Sequence, residues 1–130
     1  MNRENDRRRK QILSLIVNTG APTRIYRADR QLRTEHAKRG KCIDTLVSDA
    51  VNQGYSEIIF EKDESFVRQD RQRVLTQLVL LESKNAVAYR HIDPAAEPLL
   101  AIPDAIGWAW ARGGDWRRRV APLVQIMDVT

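Results

Sequence analysis

Three acidic residues, Asp44, Glu61 and Asp104, stand out for the apolar company they keep. Asp104 interrupts EPLLAIPDAIGWAW (residues 97–110), a segment that is otherwise almost wholly apolar. A helix that is apolar on most sides is normally buried. A buried carboxylate is costly unless it is paired, hydrogen-bonded or bound to a metal. Glu61 directly follows Ile58-Ile59-Phe60, at the carboxyl end of an expected strand, which is where ligands bind in open α/β sheets. Asp44 lies beside Ile43 and one helical turn before Val47. Three carboxylates brought together repel one another, and a divalent cation relieves that repulsion. Hard oxygen ligands suit Mg²⁺ or Mn²⁺, and a pair of such ions can activate water for phosphodiester cleavage. Each residue also has a plainer role open to it. Glu61 can simply end a strand, Asp44 can be a salt-bridged helix residue, and Asp104 can belong to a first turn begun near Pro103. His91 is open to the same two readings, a histidine at the core edge or a group that meets a ligand.

The elements that must position these residues follow from periodicity and punctuation. Residues 6–18 form a helix capped by Asp6, with Ile12, Leu15 and Ile16 on one stripe and Gly20 at its end. PTRIYRA, 22–28, alternates as a strand does. Residues 31–53 form a long helix with Ile43, Leu46, Val47, Ala50 and Val51 at helical spacing. YSEIIFEK, 55–62, is a strand whose apolar centre suggests cover on both faces. A helix opens at Ser65 and spans 66–82, a strand covers 85–92, and the apolar helix covers 97–111 until Gly113-Gly114 breaks it. A basic helical turn and a short strand at 124–129 complete the series. Strands alternating with helices imply an α/β fold, one sheet with parallel pairs and right-handed crossovers. At 130 residues without repeats or a long linker, a single domain is expected.

Several chemistries are excluded by the residues. The chain has no Gly-rich phosphate loop, no G-x-S-x-G elbow and no H-E-x-x-H motif. Its one cysteine, Cys42, permits neither an internal disulfide nor a cysteine-rich zinc site, and fits a reducing, cytoplasmic setting. No segment approaches the ~20 apolar residues of a membrane-spanning helix, so no membrane partner is expected. The net charge of +5 gathers visibly in two clusters, Arg7-Arg8-Arg9-Lys10 and Arg117-Arg118-Arg119. Such clusters are compatible with nucleic acid and equally with a solvated helix face. Trp108, Trp110 and Trp116 can pack into a core or mark a partner or dimer surface.

The stretches IIFEK, VRQDRQ, YRHIDPAAEPLLAIPDAIGWAW and GGDWRRRVAPLVQIMDV together resemble an actinobacterial family of ribonuclease-H-like proteins. The resemblance spans the chain and is strongest over 55–129. It implies a ribonuclease-H-like mixed sheet of three to four strands with flanking helices, and a metal-dependent nuclease acting through Mg²⁺ or Mn²⁺. Carried over by position, Asp44 becomes the helix acid, Glu61 the strand acid and Asp104 the last-helix acid, with Arg117, Arg118, Arg119 and His91 meeting nucleic acid. Members of that family begin with a strand bearing an Asp, whereas this chain begins with MNRENDRRRK. An N-terminally reduced sheet is therefore expected, an inactive remnant of the nuclease or a homodimer that completes the sheet. A non-catalytic interaction or nucleic-acid-binding module is the alternative.

Overall fold

The computed structural model describes residues 1, 4–83 and 86–129. They form five helices and four strands: α1 (Asp6–Asn18), β1 (Thr23–Ala28), α2 (Glu35–Asn52), β2 (Glu57–Glu61), α3 (Val67–Leu80), β3 (Ala88–Ile92), α4 (Ala101–Arg112), α5 (Gly114–Val120) and β4 (Val124–Val129). The α/β class is as expected. The four strands form two sheets of two, β1 with β4 and β2 with β3, rather than the one sheet anticipated. By contact density the chain divides into two compact units. Unit 1 is Met1–Ile25 with Pro98–Met127, and unit 2 is Tyr26–Glu97 with Asp128–Thr130. No helix among the described residues is long and apolar enough to cross a membrane.

Unit 1 is built on α1, α4 and α5. Asn5, not Asp6, caps α1, its side chain accepting from the Arg8 amide at 2.8 Å and satisfying one of the free amides of the first turn. Leu13 and Ile16 of α1 are buried against Ala105, Ile106 and Ala109 of α4 and Val120 of α5. Helix α4 starts four residues later than periodicity suggests. Pro94–Ala96 and Pro98–Leu100 make two 3₁₀ turns before it, because a proline removes a helical donor and clashes with the preceding turn. Gly113 joins α4 to α5 at φ +76°, ψ −170°, a conformation essentially restricted to glycine.

Unit 2 holds a βαβ arrangement, β2–α3–β3, with α2 as an additional helix. Strands β2 and β3 are parallel, with Ile58 opposite Tyr89 and Phe60 opposite His91. Residues two apart share a face, so Ile58, Phe60, Tyr89 and His91 lie together. Ile58, Phe60 and Tyr89 pack with Ile43, Val47 and Ala50 of α2 and with Val74 and Leu78 of α3. Glu57, Ile59, Glu61 and Arg90 take the opposite face, where Arg90 pairs with Glu57 at 2.6 Å. The continuous run Ile58-Ile59-Phe60 thus alternates between a core face and a partly polar one. Helix α2 begins four residues later than expected, at a Thr34 cap whose hydroxyl accepts from the Ala37 amide at 3.0 Å.

Helix α3 offers a direct check of this register. Leu78 is 1% exposed and Leu80 is 71% exposed. Leu78→Ala should cost about 2–5 kcal/mol in denaturant unfolding, and Leu80→Ala should stay within about 0.5 kcal/mol. Equal losses would contradict the assigned face.

Candidate functional site

The three carboxylates have different surroundings. Asp44 receives a two-pronged bond from Arg73 of α3, Nε to Oδ1 and Nη2 to Oδ2, both at 2.7 Å. It lines a polar groove of about 430 Å³ between α2 and α3, together with His36, Gln69, Arg73 and Gln77. Gly40 makes room for this pair, since a Cβ there would stand 3.1 Å from the Arg73 guanidinium carbon. Glu61 is exposed at the end of β2. Asp104 lies in unit 1, its side chain 57% exposed and 3.8 Å from the Met1 amino nitrogen.

The expectation that Asp104 is buried is therefore corrected. On α4 the buried positions are Ala105, Ile106 and Ala109. Ala101, Pro103, Asp104, Gly107, Ala111 and Arg112 are exposed. Around Asp104 the segment reads as apolar because its exposed neighbours Ala101, Pro103 and Gly107 are small and uncharged. In the first turn the carboxylate also meets the positive end of the helix dipole, a favourable place for it.

Both Asp44 oxygens are held by a guanidinium, and no group of three or more His, Cys, Asp or Glu gathers anywhere among the described residues.

The acid that is buried is one that sequence reasoning passed over. Asp70, 3% exposed, sits in the first turns of α3. Arg39 of α2 donates to it from Nε at 2.8 Å and from Nη2 at 2.7 Å, and the same guanidinium lies 4.5 Å over Phe66. Asp70 stands in the charged run VRQDRQ, a composition typical of an exposed helix face. The signal that Asp70 turns inward is its spacing of four and eight from the buried Val74 and Leu78. A paired, hydrogen-bonded carboxylate can be buried where a lone one cannot.

His91 belongs to unit 2, whereas Arg117, Arg118 and Arg119 belong to unit 1. Its ring stacks on Phe60 and meets Tyr89 edge-on, and the Tyr89 hydroxyl contacts Nε2. Nδ1 is buried without a hydrogen-bond partner among the described residues. Burial lowers the His91 pKa from its ordinary value. Asp70 and the Glu61 backbone work against that shift, while Arg71 and Arg39 add to it. The Tyr89 hydroxyl is pushed up to about 12, first by burial and then by the Asp70 carboxylate. His91 thus lies at the core edge, beside Phe60 and Tyr89.

The basic clusters, 107 positions apart at their nearest numbered ends, do come together. Helices α1 and α5 pack on one another within unit 1, and the Lys10 ammonium lies 5.9 Å from the Trp116 ring. Trp108 and Trp116 meet edge to face at 5.1 Å. Arg9 and Arg112 lie 4.8 and 5.7 Å from the Trp108 ring centre, and Arg117 lies 4.8 Å from that of Trp110. The tryptophans pack against the core by one side and carry cations on another. Within the Arg117–Arg119 cluster the three residues differ. Arg119 bonds Asp115 at 3.0 Å and Arg118 approaches it at 3.9 Å, while Arg117 donates Nε to the Trp110 carbonyl. Among the described residues Arg7, Arg8, Arg112 and Arg117 have no carboxylate partner. Arg112 was not singled out from the sequence, although its spacing of four from Trp108 on one helix places the two together.

Charge divides between the units in the same way. Unit 1 has 10 lysines and arginines against 4 acids, and unit 2 has 12 against 13. The whole positive excess therefore belongs to unit 1. No protein-family model, curated protein or solved structure matches the chain.

Two outcomes test the reading of unit 2. Asp70→Asn should lower stability by about 1–3 kcal/mol in chemical unfolding, because the half-exposed Arg39 loses its charged partner. The depressed His91 pKa means that the unfolded chain binds the proton more readily. Its contribution is therefore complete above about pH 6.5 and shrinks as the pH falls towards the folded pKa. Stability measured from pH 7.5 down to 5.5 should decline, and His91→Phe should flatten that slope. An unchanged slope in the variant would assign the decline elsewhere.

Proposed function

We propose that the protein is a nucleic-acid-binding module that works through the basic surface of α1, α4 and α5 in unit 1. The observation that carries this reading is the meeting of two arginine-rich clusters on packed helices, within the one unit that holds the net positive charge. Phosphate binding is driven largely by counterion release, which rewards clustered cations whether or not any base is read. Arg7, Arg8 and Lys10 of α1, Arg112 of α4 and Arg117 of α5 are exposed. Asp115 neutralises Arg119 and part of Arg118, so those two contribute less.

The ribonuclease-H-like resemblance would add phosphodiester cleavage to binding. The donor set gives no support to that step, since Asp44 is held by Arg73 and Asp104 lies in the other unit, apart from Glu61 and Asp44 in the chain's division. Binding without cleavage is the reading the residues favour.

With about five phosphate contacts, log K should fall against log salt with a slope of about −3.5 to −4.5. Affinity for a labelled oligonucleotide should drop about 130- to 500-fold from 50 to 200 mM salt. Replacing Arg7, Arg8 and Arg117 together by glutamate should abolish binding without unfolding the chain, because all three are exposed. The same change at Arg33 and Arg68 of unit 2 should leave it largely intact. Chelation by EDTA should alter neither binding nor the integrity of the oligonucleotide. A salt-independent affinity would contradict the proposal, as would Mn²⁺-dependent cleavage lost in Asp104→Asn the claim of binding alone.

A further inference from the structure

Resting on the nucleic-acid reading above, we infer that unit 1 selects unpaired strands, using guanidinium groups laid over tryptophans as platforms for bases. Charge alone does not distinguish a duplex from a single strand. Planar groups do, because only an unpaired base can turn its face onto them.

The helices of unit 1 carry such groups. Arg112 and Arg9 lie over Trp108, Trp108 meets Trp116 edge to face, and Lys10 lies over Trp116. Arg117 lies over Trp110 and is fixed there by its Nε bond of 2.9 Å to the Trp110 carbonyl. This second contact restrains the guanidinium before any ligand arrives. An arginine already ordered loses less freedom on binding than a mobile one. Arg9 has a different part. It is largely buried, and it bonds Asp6 and the Met1 carbonyl, so it supports Trp108 from within. Arg112 and Arg117 are the exposed platforms. Each has its charge free of any carboxylate among the described residues, so it can meet a phosphate or lie against a base. A purely structural role for the tryptophans would need no cation over them, whereas Trp108, Trp110 and Trp116 each carry at least one.

The test compares a labelled oligothymidylate of about 15 nucleotides with a duplex of about 15 base pairs, by fluorescence anisotropy at equal salt. Stacking of one or two bases should make the single strand bind roughly tenfold tighter. Its binding should also quench tryptophan fluorescence, which the duplex should leave nearly unchanged. The double variant Arg112→Lys and Arg117→Lys keeps the charge and removes the planar groups. It should weaken single-strand binding roughly fivefold more than it weakens duplex binding. Equal affinity for the two forms, or a lysine variant indistinguishable from wild type, overturns the inference and leaves the nucleic-acid reading standing. Binding to neither form at low salt overturns that reading itself.

Discussion

Everything that gives unit 1 its character depends on an apolar seam holding like charges together. Leu13, Ile106 and Val120 are each at most 1% exposed, and they join α1, α4 and α5. Burying each such side chain contributes about 1.5–3 kcal/mol. Two exposed cations some 8 Å apart in water repel by only about 0.5 kcal/mol, and salt reduces that further. The seam therefore wins easily against the repulsion of the clusters it assembles. The cost left over is a dense positive surface with few internal counterions, which a polyanion relieves.

Unit 2 handles charge in the opposite way. Arg39 with Asp70 and Arg73 with Asp44 tie α2 to α3 by paired two-pronged bonds, and Gln77 to Ser48 adds a third link at 3.0 Å. These groups satisfy one another, and the unit is close to neutral. Its helices are registered on the β2–β3 sheet by buried aliphatic residues, and its polar contacts fix which faces meet. Asp44 and Asp70 each join α2 to α3 through an arginine.

Much of this was legible in the residues. All the expected helices and strands are present with modest changes at their ends, since apolar spacing and glycine stops are local signals. The expected strand at 85–92 is seen as β3 from Ala88, with Asn85 outside the described residues. What could not be read was pairing at a distance. Nothing local says that Asp44 meets Arg73 or that Asp70 meets Arg39, and so the wrong carboxylate looked buried. Asp104 misled because alanine and glycine on the outer face of α4 count as apolar while needing no cover. The division of strands into two sheets is likewise a matter of tertiary partners. The basic clusters were visible as runs of letters. Their meeting, and the arginines laid over tryptophans, required the packing of α1 on α5.

The most direct measurement is a nuclear magnetic resonance titration of the full ¹⁵N-labelled chain with a short oligonucleotide at low salt. The account predicts shifts of the backbone amides of α1, α4 and α5 and of the three indole N–H signals, with α2, α3, β2 and β3 undisturbed. Shifts centred on the α2–α3 groove, or none at any concentration, would contradict it.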